Sequence, residues 1–198
     1  MGTALSAPAA VTDSGWELLG QGLRLVWWVW LLVAALAVVL AVGNTTMLDY
    51  LHVLTGGAWT GIDLFMGFLI GPVMRRMTPE ARRNFISQLM PRTLVFMPVL
   101  SAVAITSGYY LASRLGLLAS ASFRPWLLAA GVVVLWLFVQ GFGVLLPTNL
   151  RIFREINREH PDLEKIGRTM KRYIAVTAMQ GVLQLGIIFI MANLAFGH

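Results

Sequence analysis

Long apolar stretches alternate with short charged ones along most of the chain. Each apolar stretch has about 20 residues or more, the length that an α-helix needs to cross the hydrocarbon core of a bilayer. The pattern therefore predicts an all-α bundle of five transmembrane helices, which we number one to five in chain order. Their expected ranges are 23–43, 47–74, 92–113, 125–147 and 173–196.

The residues before the first apolar stretch have a different composition. Residues 1–22 are rich in Ala, Ser, Gly and Thr, which predicts an interfacial or disordered segment ahead of a single transmembrane domain, residues 23–198. A cleaved signal peptide is the alternative for the first stretch. The run VWWVWLLVAALAVVLAVG is longer than the about 7–15 apolar residues of a signal, and no Lys or Arg precedes Arg24, so we favour a membrane anchor.

Charge in the connecting segments predicts how the bundle is oriented. The segment RRMTPEARRNFISQLMPR between helices two and three has five arginines, and NLRIFREINREHPDLEKIGRTMKR between helices four and five has seven basic residues. The other two connections, GNTTMLD and SRLGLLASASFRP, have none and two. Because Lys and Arg in short loops stay on the cytoplasmic side, we expect a cytoplasmic N-terminus and an external C-terminus.

Both basic segments also carry helix signals. Thr78-Pro79-Glu80 is typical of a helix start, with a capping residue, a proline at the first position and an acid in the first turn. It predicts a short interfacial helix at 79–89. The segment from Asn149 to Arg172 alternates in charge and predicts a cytoplasmic extension of helix four that is broken near Pro161.

Composition supports a membrane protein and excludes several functions. Of the 198 residues, 58% are hydrophobic and 12% charged, with a mean hydropathy of +0.74; soluble domains have about 25% charged residues. The net charge of +6 comes from the two basic segments, so it indicates contact with the lipid bilayer and no nucleic acid binding. The chain has no cysteine, which excludes disulfides and zinc-thiolate sites.

Ionisable residues within a spanning helix are candidates for function because the bilayer interior penalises them. Helix two has His52 and Asp63, and the spacing of His52, Gly56, Trp59 and Asp63 puts all four on one helix face. At 1.5 Å per residue, His52 and Asp63 lie roughly 16 Å apart along the axis. They therefore belong to two separate layers, an outer one and an inner one.

In the inner layer we expect a buried polar cluster around Asp63. Gln140 of helix four and Gln180 of helix five fall at about its depth, and Arg24 and Arg92 begin helices one and three within reach. The prediction is that an arginine pairs with the Asp63 carboxylate and that the amides bridge it. A proton or ion relay through Asp63 is the alternative.

In the outer layer the candidate ligands are an imidazole and thioethers. Thr177, Gln180, Gln184 and Met191 follow helical spacing, which brings Met191 to the depth of His52; Met47 and His198 are on the same side. Imidazole and Met sulfur are ligands of both Cu(I) and haem iron. The sequence therefore predicts a haem b or copper site, and a merely hydrogen-bonded His52 is the alternative. No serine triad, phosphate loop or pair of carboxylates indicates a catalytic residue.

Helix two also carries two pairs of small residues. Gly57 with Gly61, and Gly67 with Gly71, are each four residues apart, a spacing that lets a neighbouring helix approach closely. This pattern favours a second function: a non-catalytic subunit or assembly factor that packs on a membrane protein partner or on a second copy of itself.

The segment LHVLTGGAWTGIDLFMGFLIGPVMRR, followed by LMPRTLVFMPVLSAVAITSGYYLA, resembles the copper-resistance protein D family of bacterial membrane proteins. The resemblance covers about residues 48–112. It implies a protein of the bacterial inner (cytoplasmic) membrane in which His52 is the candidate ligand of copper or haem and Trp59 its packing neighbour, in electron transfer or metal handling. The segment is also similar to the membrane protoporphyrinogen oxidase, but the membrane lysine of that family has no counterpart, since Lys165 and Lys171 are in a loop.

Overall fold

The computed structural model describes residue 20 and residues 22–196. In this part of the chain the five apolar stretches form five helices, which confirms the all-α prediction: α1 (Trp30–Val42), α2 (Thr45–Arg76), α3 (Pro79–Arg114), α4 (Arg124–Ile156) and α5 (Leu163–Phe196). Helices α2 to α5 are long and apolar enough to cross a membrane. Helix α1, with the 3₁₀ turn Trp27–Val29 before it, is apolar but shorter. The predicted segment 1–22 lies almost wholly outside the described residues.

The connection between α2 and α3 follows its sequence signals. The Thr78 hydroxyl accepts a hydrogen bond from the Ala81 amide at 3.3 Å, and Pro79 is the first helical residue. The prediction of a separate helix at 79–89 was wrong, because α3 runs without a break through Pro91 and Pro98. Met90 and Leu94, on either side of Pro91, are buried, and this packing holds the helix together across the hydrogen bond that proline removes.

The connection between α4 and α5 confirms the predicted break. Helix α4 extends to Ile156, and α5 begins at Leu163, just after Pro161. The Asp162 carboxylate accepts a hydrogen bond from the Lys165 amide at 2.9 Å, which satisfies one of the free amides at the start of α5.

Two π-helical turns interrupt the long helices. Met66–Ile70 lies within α2 and Gly141–Leu145 within α4. Each lies close after a polar layer residue: Asp63 is three residues before the first turn, and Gln140 directly precedes the second. Such turns are frequent at functional sites because they redirect side chains within a helix.

The two glycine pairs of α2 differ in what they contact. A methyl group on Gly67 would lie 2.7 Å from the Ala178 Cα, and one on Gly71 would lie 2.7 Å from the Ile174 side chain. This pair brings α2 and α5 together as predicted. For Gly57 and Gly61 the prediction of a close helix contact within this chain was wrong. No described atom comes within 4 Å of the position that a methyl group on either glycine would occupy.

Candidate functional site

His52 is half-buried on α2 and packs against α3. Its Nδ1 lies 2.9 Å from the carbonyl oxygen of Ala104. Because a carbonyl oxygen only accepts, Nδ1 must carry the proton and donate it. With Nδ1 bonded in this way, Nε2 is the ring nitrogen that could bind a metal.

Ser107 and Gly108 complete the surroundings of the ring. The Ser107 hydroxyl donates to the carbonyls of Val103 at 2.7 Å and Ala104 at 3.0 Å, and lies 3.4 Å from His52 Nδ1. A methyl group on Gly108 would lie 2.6 Å from His52 Cε1 and 3.0 Å from Nδ1. A glycine at this position therefore makes room for the imidazole against α3.

Sequence reasoning missed these α3 residues. The signal was the run of small side chains at Ser101, Ala104 and Gly108, which follow helical spacing on one face of α3. A small-residue face opposite a lone intramembrane histidine indicates where the ring will pack. The histidine itself is on α2, but the space for its ring is provided by small residues of α3.

The level of Met191, another predicted ligand, follows from the packing of α2 against α5. Helices α2 and α5 are antiparallel, and three contacts fix their register: Leu64 with Gly181, Gly67 with Ala178, and Gly71 with Ile174. Continued outward, this register puts Met191 level with Leu54, about 3 Å along the axis from His52. Met191 is half-buried, so its role as a ligand stays a prediction.

Met47 is 55% exposed in the first turn of α2, and His198 lies outside the described residues. Trp59 is buried one to two turns from His52, in a cluster with Leu100, Ala104 and Leu137, which fits its predicted role as a packing neighbour. Among the described residues, no three His, Asp or Glu side chains come together as a metal site. A metal at His52 would thus need thioether, porphyrin or water ligands.

Asp63 is buried in the inner layer, 1% exposed. Its Oδ2 accepts a hydrogen bond from Gln180 Nε2 at 2.9 Å, so the predicted bridge to Gln180 is present. The predicted ion pair between Asp63 and an arginine is not present among the described residues. Arg24 and Arg92 are both exposed, Arg92 donates to the carbonyl of Gln88 on its own helix, and no ion pair within the described range includes Asp63. Long arginine side chains at helix ends reach water in preference to the interior.

Gln140 is buried but bonded elsewhere. Its Nε2 donates to the carbonyl of Val176 on α5 at 2.9 Å, and its Oε1 accepts from Trp136 Nε1 at 3.1 Å. Gln140 therefore ties α4 to the backbone of α5, next to the π-helical turn of α4. The prediction of a buried amide was correct, but these bonds do not join it to Asp63.

The inner layer has more polar atoms than partners. Within the described residues, four buried side-chain atoms lack a hydrogen bond: Asn149 Oδ1, Gln180 Oε1, and both amide atoms of Gln184. A cavity of about 50 Å³ lies beside two of these residues, Asn149 and Gln180, and Asp63 and Tyr173 also line it. A volume of this size holds about three water molecules. Asn149 and Tyr173 were not among the predicted layer residues, since both are near the basic segment between α4 and α5 in the sequence.

No protein-family model matches the chain, and no curated protein or solved structure is similar to it at a significant level. The class of protein therefore follows from the molecule itself. Four long apolar helices and two buried polar layers indicate an integral helical membrane protein.

Proposed function

We propose that the protein is a five-span protein of the bacterial inner membrane in which His52 binds a redox cofactor, haem b or copper, for electron transfer or metal handling. Its N-terminus is cytoplasmic and its C-terminus external. The observation that carries the proposal is the hydrogen bond between His52 Nδ1 and the Ala104 carbonyl, which leaves Nε2 as the nitrogen that would bind the cofactor.

Two further features support a ligand over a purely structural histidine. A structural hydrogen bond needs only one ring nitrogen, whereas the position of the whole ring is fixed here by the bond to Ala104 and by the contact with Gly108. Met191 supplies a thioether at nearly the same level. The resemblance to the copper-resistance protein D family implies the same role for His52.

The direct test is to purify the full chain in mild detergent, add haem or Cu(I) in separate samples, and record the visible spectrum and the metal content. We expect a Soret band or stoichiometric copper for the wild-type protein. His52→Ala should lose that signal and keep its helical circular dichroism, because insertion depends on the apolar helices and basic loops. His160→Ala, in the loop before α5, is the matched control and should bind normally. A wild-type protein that binds neither cofactor would refute the proposal.

The orientation is tested separately. The chain has no cysteine, so a single one can be introduced without further changes. Thr45→Cys should react with an impermeant thiol reagent in intact cells, whereas Glu164→Cys should react only after the cells are opened. Reversed labelling would put His52 on the cytoplasmic side and would leave the cofactor test unaffected.

The second candidate function is that of a non-catalytic subunit or assembly factor. It is favoured by the open face at Gly57 and Gly61, which no described part of the chain covers. Small residues on an open helix face allow another membrane helix to approach. Gly57→Leu with Gly61→Leu should then release a co-purifying partner or dissociate a homo-oligomer, and should leave any spectrum of His52 unchanged.

A further inference from the structure

A large cleft lies between the cytoplasmic ends of α4 and α5, next to the inner layer, with which it shares Tyr173 as a lining residue. Its volume is about 790 Å³, and both helices contribute to its walls. One carboxylate, Glu155, lines it. Six cationic side chains line it as well: Arg151, Arg154, Arg158, Lys165, Arg168 and Arg172. Six cations against one carboxylate leave the cleft with five net positive charges.

Only some of these cations are paired. The Glu155 carboxylate lies 2.7 Å from Lys165 Nζ and 3.3 Å from Arg158 Nη1, and Arg168 pairs with Glu164 outside the cleft. The other three, Arg151, Arg154 and Arg172, are exposed, and their guanidinium groups make no hydrogen bond or ion pair with the described residues.

Two of the five arginines in the other basic segment, Arg82 and Arg83, are used differently. Arg82 donates to the carbonyls of Met74 and Met77 at the end of α2, and Arg83 donates to the carbonyl of Ile156 at the end of α4. Those arginines satisfy helix ends. The rule that cytoplasmic loops are basic explains the number of cations on this side, but it does not require three unpaired guanidinium groups to converge on one cleft.

The opposite end of the cleft is apolar. Val144 and Ala175 line it and are exposed, and the surface of α5 continues toward the bilayer with exposed Met179 and Val182. From Glu155 to Val144 the cleft spans about 16 Å along α4. It therefore joins a cationic rim to a surface that faces hydrocarbon, a shape suited to an amphiphile with an anionic head.

We propose that this cleft binds an anionic phospholipid, with its phosphate between Arg151, Arg154 and Arg172 and an acyl chain along Val144 and Ala175. Guanidinium groups bind phosphate oxygens in pairs, and basic pockets between membrane helices on the cytoplasmic side recognise lipid headgroups. The leaflet follows from the proposed orientation. The site itself does not depend on His52 or on its cofactor.

The test is to count and titrate bound lipid by native mass spectrometry of the full-length protein, with phosphatidylglycerol and phosphatidylcholine of the same acyl chains. We expect phosphatidylglycerol to bind about tenfold more tightly, and the preference to shrink as salt rises. Arg151→Gln with Arg172→Gln should weaken phosphatidylglycerol binding about 30-fold. The matched control, Arg75→Gln with Arg76→Gln, removes two exposed charges at the cytoplasmic end of α2 and should weaken it less than about threefold.

Several results would overturn the proposal. One is equal affinity for the two lipids, and another is an equal loss of phosphatidylglycerol affinity in the two double variants. A third is displacement of phosphatidylglycerol by millimolar inorganic phosphate, which would mean that the ligand is a soluble phosphate. If the first double variant loses helical structure, the single variants Arg151→Gln and Arg172→Gln decide, and each should weaken phosphatidylglycerol binding about fivefold. His52→Ala should bind phosphatidylglycerol normally, so failure of the cofactor proposal would be seen separately.

Discussion

His52 and Asp63 lie on the same helix and on nearly the same face, but their polar groups are satisfied in different ways. His52 donates to a backbone carbonyl of α3, and a glycine makes room for its ring. Asp63 accepts from an amide side chain of α5, beside a cavity and four unpaired polar atoms. Backbone carbonyls hold a side chain in one orientation, whereas a cluster of amides has spare donors and acceptors for water. The His52 ring is thus held by a backbone hydrogen bond, whereas the inner layer has unpaired polar groups and space for a small amount of internal water.

The largest expected effect is in the inner layer. Asp63→Leu should lower the stability of the protein in detergent by about 1–3 kcal/mol, because it leaves Gln180 Nε2 buried without an acceptor. Asp63→Asn keeps an acceptor oxygen and should cost less. Thermal unfolding of the three proteins measures the difference. If Asn and Leu are equally harmful to function while both proteins stay stable, Asp63 carries a proton in place of a structural bond.

The next effect is in the outer layer. Gly108→Val should cost about 1–3 kcal/mol by overpacking and should abolish the cofactor signal, because the added side chain occupies the place of the imidazole. Gly131→Val is the control, since that glycine of α4 has no described atom within 4 Å of the corresponding position. A Gly108→Val protein with an unchanged spectrum would show that the ring does not need its observed position.

A smaller effect of opposite sign is expected at Gln184. Both atoms of its amide are buried without a partner, so Gln184→Leu, which removes them at similar volume, should stabilise the protein by about 1 kcal/mol. Gln180→Leu is the comparison and should destabilise it, because Asp63 then loses its donor. Destabilisation by Gln184→Leu would indicate that water or Asp63 satisfies the amide.

The smallest effect on stability is expected for Met191→Leu, a substitution that conserves volume and costs well under about 1.5 kcal/mol. Its spectrum is the informative measurement. If the thioether is the second ligand, the cofactor band should weaken or shift. Met179→Leu, at an exposed position of the same helix, should leave the band unchanged. Identical spectra for both variants would mean that Met191 does not bind the cofactor.

Much of the fold was accessible from the sequence because it depends on local properties. Apolar runs of sufficient length gave the five helices, Thr78 and Pro79 marked the start of α3, and Pro161 marked the break before α5. The separate helix predicted at 79–89 was wrong, however, because α3 continues through Pro91, where Met90 and Leu94 are buried. A proline costs one hydrogen bond locally, and only the surrounding core decides whether the helix ends.

The candidate site was only half determined by the sequence. Its polar residues in helix two, and the bridge from Asp63 to Gln180, followed from spacing and depth, because helical geometry fixes both. Which neighbour each residue meets does not follow from spacing. Only the tertiary structure placed the His52 ring on Ala104 and Gly108, turned Arg24 and Arg92 outward, and covered Gly67 and Gly71 while leaving Gly57 and Gly61 open. Those outcomes depend on the order and rotation of the helices in the bundle, which are set by packing across the whole chain.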